Sequence, residues 1–473
     1  MRHFGPLAVL LTISSGPALA GPFDELMKAV PPTANTLVLV DVAGLTGSPV
    51  GQKAGWAVKV DERYRDGSGV LPPGAERVLI AGQVNLQAGH RVWKAAVVDA
   101  PSPPPLADVA ARERGEPDEV AGLAVVHSPR GVYFASPAAN RWLVFYPDNR
   151  PALADWVRHG KEEKPAPAGR YLTAAARRIQ NQHVVIAADL TDSVAPAAAK
   201  AAAGAMPSLV RRNADPAAFA RLMVSLRGVT LTARATDRVR AVLRFDFGTN
   251  PLPLQAVLKD ALLEMVENSG ASLPELASWE PTVTVDSFYL SGTLAPESLT
   301  RVLGLFAFPQ ARGPAPEATA PTAEATQWYL DTLRKIVDDV RKARAGSKPE
   351  KTALWHDAAA GRIEHLDPRG VKPAVLTMGQ EVSSRLRAVA ASMRGVPVDL
   401  NKLKSQAYYY EARSGWSPWG WGMFSGPNLV WTNVPEVQAK MNEVVAQDKS
   451  NRELLWKQID DQIAQSRSLL ESK

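Results

Sequence analysis

The sequence predicts an α+β fold: two tandem antiparallel-sheet α+β units, related as a diverged duplication, followed by a mainly helical C-terminal region. Three observations carry this. Val239, Ala241, Leu243, Phe245 and Phe247 alternate with Arg238, Arg240, Arg244 and Asp246, the period of a strand with one wet face. One order of strands and helices occurs twice between residues 30 and 307. From Thr322 onward, apolar spacings of three and four replace alternation.

Residues 1–20 read as a secretory signal. Arg2 and His3 give a positive start, Leu7 to Ile13 a short apolar core, and Ala18, Leu19 and Ala20 a cleavage site before Gly21. The apolar core is far shorter than the roughly 20 residues that span a bilayer. The first unit, 21–158, opens with the apolar run Leu37 to Val40, ended by Asp41 and a short helix. A hairpin of 77–86 and 91–99 follows, then a helix from Leu106 to Arg114 and strands at 122–127, 131–136 and 141–146. Leu153, Trp156 and Val157 mark a closing helix, and 159–170, rich in Pro, Ala and charge, reads as a linker.

The second unit, 171–307, repeats the order. Val184 to Ile186 is its opening strand, followed by Asp189 and an Ala-rich helix around 195–205. A hairpin of 221–235 and 238–247 precedes a helix from Leu254 to Val266, strands at 282–286 and 288–293, and a closing helix with Leu299, Val302, Leu303 and Phe306. Two such βαββαββα units imply antiparallel sheets covered on one face by helices. A second linker spans 308–321. In 322–473, Trp328, Tyr329, Leu333, Ile336, Val337 and Val340 outline an amphipathic helix, a second covers about 374–394, and a long terminal helix runs from Pro435 to Leu470.

Composition excludes several functions. With no Cys among 473 residues there are no disulfides, thiolate zinc sites, iron–sulfur clusters or thiol nucleophiles. The formal net charge of +6 is mild for this length, and no nucleic-acid-binding signature accompanies it, so no nucleic acid is expected as partner. Gly420 to Gly426 misses the dinucleotide spacing by one, and the phosphate-loop, Gly-x-Ser-x-Gly and Ser-x-x-Lys motifs do not occur. No cofactor, metal site or catalytic constellation is read from the chain.

Three clusters remain. His356, Asp357, Glu364, His365 and Asp367 offer nitrogen and oxygen donors, but the two His lie nine apart across Ala358 to Gly361, a spacing that suits a solvated helix end or turn better than a metal site. Arg234, Arg238, Arg240 and Arg244 on a sheet face can bind phosphate or carboxylate groups bidentately, or simply be solvated. Trp416, Trp419, Trp421, Phe424 and Trp431 lie in a Gly- and Pro-rich loop over 415–431. Such rings stack on sugars, meet another protein, sit at a membrane surface, or plug the loop's own domain.

The order of features resembles uncharacterised exported proteins of planctomycete-like bacteria. The residues that carry the likeness are Val38-Leu-Val-Asp41, Pro147-Asp-Asn-Arg150, Val283-Thr-Val285 with Leu290-Ser-Gly292, and Leu386-Arg-Ala with Met393-Arg-Gly-Val396. It spans most of 30–400 and implies export and architecture, with no catalytic residues to carry over. The reading is therefore a non-catalytic exported scaffold or binding protein, periplasmic or extracellular. It contacts a glycan or protein component of the envelope, with self-association through the terminal helix as a further expectation. The alternative is a secreted hydrolase, metal-dependent or not, built on His356, Asp357, Glu364 and His365.

Overall fold

The structure, a computed structural model, describes residues 21–65, 69–85, 90–309, 321–345, 351–364, 366, 368, 370–394 and 449–465. Its first half contains α1 (Asp24–Met27), β1 (Thr36–Asp41), α2 (Val42–Gly47), α3 (Pro49–Lys53), α4 (Trp56–Arg65), β2 (Arg77–Asn85), β3 (His90–Asp99), α5 (Leu106–Glu113), β4 (Glu116–Val120), β5 (Leu123–Ser128), β6 (Val132–Ala138), β7 (Arg141–Tyr146) and α6 (Arg150–Lys161). The second contains α7 (Arg170–Ala176), β8 (Val184–Asp189), α8 (Pro196–Gly204), α9 (Pro207–Arg211), α10 (Pro216–Val224), β9 (Leu226–Ala235), β10 (Val239–Phe247), α11 (Gln255–Asn268), β11 (Glu280–Val283), β12 (Ser287–Leu294) and α12 (Pro296–Gly304). Helices α13 (Ala323–Ala345), α14 (Ala353–Glu364), α15 (Pro373–Met393) and α16 (449–465) follow. The fold is α+β with an antiparallel sheet and a helical C-terminal region.

Strands buried on both faces read as continuous apolar runs rather than alternations. Leu37 to Val40 and Val184 to Ala188 are such runs, and they lie side by side at the middle of one 12-stranded sheet. Their antiparallel register, Thr36 opposite Ala188 and Val40 opposite Val184, is symmetric about the pair Val38 and Ile186. Outward from this seam the order is β1-β2-β3-β7-β6 on one side and β8-β9-β10-β12-β11 on the other, so corresponding strands take corresponding places. The first side adds the hairpin β4–β5 at its edge. Each opening Asp turns the chain off its strand: Asp41 caps α2 by accepting from the Gly44 N–H at 2.9 Å, and Asp189 accepts from the Thr191 N–H at 3.1 Å.

Alternate residues feed two cores. One core holds Val38, Val98, Phe134, Trp142, Ile186, Leu231, Leu243 and Phe288 beneath α2, α5 and α8 to α12. The other holds Leu37, Leu39, Val97, Leu143, Phe145 and Val185 beneath α1, α6 and α7. Helices thus cover both faces of the first half, where the sequence predicts one, because the residues of β1, β2, β3 and β7 are apolar at both parities. The second core takes no residue from β9, β10, β11 or β12; on that side Tyr171 of α7 lies over Gly228 and Thr230, and beyond it Arg234 and Arg240 are exposed.

Past α12 the chain crosses back over the first half, held by two buried cations. Lys94 Nζ donates to the carbonyls of Phe306 (3.1 Å) and Ala307 (2.7 Å) and lies 4.1 Å from the Phe308 ring centre. Arg130 donates to the Pro309 carbonyl at 3.1 Å and pairs with the fully buried Glu113 at 2.6 Å. Burial brings the Arg130 pKa down to about 10, against the pull of Glu113. The helical region has its own core of Tyr329, Leu333, Ile336, Val340, Ile363, Val382 and Leu386, closed by Leu455, Trp456 and Ile459 of α16. The terminal helix, expected as a self-association surface, packs in the part described into this bundle through these three residues; 435–448 lie outside the described residues.

Two expectations are corrected. Residues 221–224 are not strand: Asp215 caps α10 from the Ala217 N–H, Pro216 opens it, and Phe219, Leu222 and Met223 pack inward at helical spacing. Residues 353–364 form a helix rather than a solvated end or turn, because Ala353, Leu354, Trp355, Ala359, Ala360 and Ile363 give it a buried face.

Candidate functional site

The side of β9 to β12 turned away from the first core carries the predicted arginines, with Arg234 and Arg240 on its exposed part. Arg234 and Arg240 are direct partners across the β9–β10 pair, and both are exposed. Like charges directly opposite each other oppose pairing. Among the described residues neither forms a hydrogen bond or an ion pair. Arg238 is exposed in the turn between the strands, with Asp237 beside it. Thr293 faces Arg240 on the next strand, and His183 lies beside Arg234, its Nδ1 accepting from the Ala235 N–H at 3.2 Å. Burial, with help from the Arg234 charge, holds the His183 pKa below its usual value against the pull of Asp41. Arg244 differs from the other three: it pairs with Asp246 and donates to the Tyr289 hydroxyl and to Ser287 Oγ, so its donors are engaged within the sheet.

The His and carboxylate cluster does not converge. Neighbours on a helix point in different directions. His356 is completely buried, and its Nδ1–H donates to the Thr352 carbonyl at 2.8 Å. Asp357 pairs with Arg394 at 2.5 Å, and Glu364 accepts both Nε and Nη2 of Arg387 at 2.6 Å. These two rungs tie the antiparallel helices α14 and α15 together. Among the described residues, no three His, Asp or Glu side chains are placed to share a metal ion. His365 and Asp367 lie outside the described residues, as do Trp416, Trp419, Trp421, Phe424, Trp431 and the signal segment 1–20.

A second site, which the sequence reading missed, lies on the opposite face of the same half-sheet. An apolar cavity opens between β9, β10 and β12 on one side and α11, α12 and the loop 269–279 on the other, with Trp355 of α14 as a further wall. The centre of a water-sized sphere can move through about 80 Å³ of it. No charged side chain lines it. Its polar lining groups are spent elsewhere: the Trp279 indole N–H donates to the Thr293 carbonyl (3.0 Å), that of Trp355 to the Ser272 carbonyl (2.9 Å), and Ser269 Oγ to the Val266 carbonyl (2.5 Å). Gly270, at φ +77°, lets the loop turn directly against α14: a Cβ there would come within 2.7 Å of the Leu354 nitrogen. Each lining residue reads from sequence as ordinary core, and no local pattern signals that the layers leave space between them.

No family model matches the sequence, and no curated protein does. Among solved structures, crystal form I of TP0453, a treponemal protein, is similar with a TM-score of 0.36 and 12% identity, over 59% of this chain and 97% of that one. Crystal form III gives 0.37 and 13% identity over 59% and 96%. Both scores are too low to assign a shared function.

Proposed function

We propose that this protein is an exported, non-catalytic binding protein that contacts an anionic component of the cell envelope through the exposed Arg234 and Arg240 part of this sheet face. The observation that carries the reading is the exposed, directly opposed pair Arg234 and Arg240, without an acidic partner among the described residues. An arrangement in which like charges face each other gains most from a ligand that brings two or more phosphates or carboxylates to them. Export is supported by the signal-like residues 1–20 and the resemblance to exported proteins, and among the described residues no helix is long and apolar enough to cross a membrane. The contribution of Trp416, Trp419 and Trp421 belongs to the same proposal, as a second contact with the envelope.

The test is co-sedimentation of the chain from Gly21 with isolated envelope fractions, together with its retention on phosphocellulose across a salt gradient. Arg234→Glu/Arg240→Glu should pellet less and elute at lower salt. Lys53→Glu/Lys59→Glu, which makes the same change in net charge elsewhere, should behave as the parent. If both double variants shift equally, net charge alone is being measured and the proposal fails.

A further inference from the structure

We propose that the apolar cavity binds the hydrocarbon chain of a single-chain amphiphile, whose polar head stays at the rim. An ordered water needs roughly 10–15 Å³ of such space and two or more polar partners. The cavity has space for several waters, but its lining hydroxyl and both indole N–H groups are already donated elsewhere. Water inside it would therefore lose hydrogen bonds, and a cavity of this kind stays dry or takes up hydrocarbon.

The same fact defines the ligand. No donor remains to orient a polar group, so the inserted part must be hydrocarbon along its buried length. Specificity then rests on shape, set by Leu231, Phe245, Trp279 and Phe306 on the walls. The lining residues that stay partly exposed, Val266, Ala271, Leu273 and Leu305, mark a rim open to solvent, where a head group remains hydrated. An amphiphile satisfies both conditions at once, while a wholly apolar molecule leaves its outer end in water. The inference goes beyond the arginine face and is separable from it, since the two sites lie on opposite faces of the sheet.

Calorimetric titration of the whole chain with dodecanoate, dodecyl maltoside and adamantane carboxylate tests this. The two dodecyl compounds should bind one per chain with similar affinity despite their different heads, and the rigid cage more weakly by about tenfold. Val266→Phe, placed at the rim where folding tolerates it, should abolish binding with the circular dichroism spectrum unchanged. Val302→Ala, which adds room, should keep dodecanoate binding and improve that of hexadecanoate. Absence of binding to the parent chain, equal binding of the cage, or unaltered binding by both variants would overturn the proposal. Unequal dodecyl affinities with binding still lost in Val266→Phe would overturn the head-group independence on which it rests.

Discussion

Acid should loosen the helical region through one residue, His356. It is completely buried, its Nδ1–H is fixed on the Thr352 carbonyl, and its Nε2 has no hydrogen-bond partner. The Trp456 ring of α16 packs edge-on at 5.5 Å, and the charged groups that act on it, Arg344 from α13 and Arg394 beyond α15, are both positive. Burial first, then these two charges, bring its pKa down to about 4 against the Thr352 bond. The unfolded chain titrates near 6.5. Below that value it binds the proton more readily than the folded protein, so this stability is complete above pH 6.5 and is lost as pH falls toward 4. The difference amounts to about 2 kcal/mol by pH 5 and about 3 kcal/mol by pH 4. Urea unfolding at pH 7 and pH 5, followed by circular dichroism, reads it when the parent is compared with His356→Phe. Other titrating groups cancel in the comparison, so the parent should lose about 2 kcal/mol more than the variant between the two pH values. An equal loss in both would refute the argument.

Two further outcomes follow from packing. Lys94→Met removes the donor to the Phe306 and Ala307 carbonyls, and leaving such groups unpaired costs about 1–3 kcal/mol. Hydrogen exchange over 305–309 should quicken and the urea midpoint fall; an unchanged midpoint would show the cation is not holding this crossing. Gly228→Ala would bring a Cβ within 2.4 Å of the Tyr171 ring and 2.5 Å of the Ala188 carbonyl, an overpacking penalty of about 1–3 kcal/mol. Adding Tyr171→Ala should restore only part of the loss, because the backbone contact remains; complete restoration would assign the whole clash to the ring.

The candidate sites were legible to different degrees. Arg234 and Arg240 could be placed on a wet face from alternation in β10, because side-chain direction in a strand follows the chain's own period. That Arg244 is engaged could not, since Tyr289 and Ser287 reach it from a strand more than forty residues away. His356, Asp357 and Glu364 looked like clustered donors only while α14 was unrecognised. On the helix, Asp357 and Glu364 line up with Arg394 and Arg387 as rungs, and His356 turns into the core. The cavity had no signal at all: its lining comes from separated elements, and empty space reflects a mismatch of volumes between layers that one sequence does not display.

The sequence by itself determined the α+β class, the hairpin of β2 and β3, the amphipathic helices α5, α11, α13 and α15, and the Asp residues that end β1 and β8. All of these depend on periodicity and capping within a few residues. Tertiary structure alone decided that the two halves share one sheet through β1 and β8, that the second core stops short of β9 to β12, and that α14 supplies a wall to a cavity in the second half. The reason is physical: the ladder bonds that join β1 to β8 are made by backbone groups common to every residue, so the choice of partner strand rests on how distant surfaces fit rather than on any local pattern.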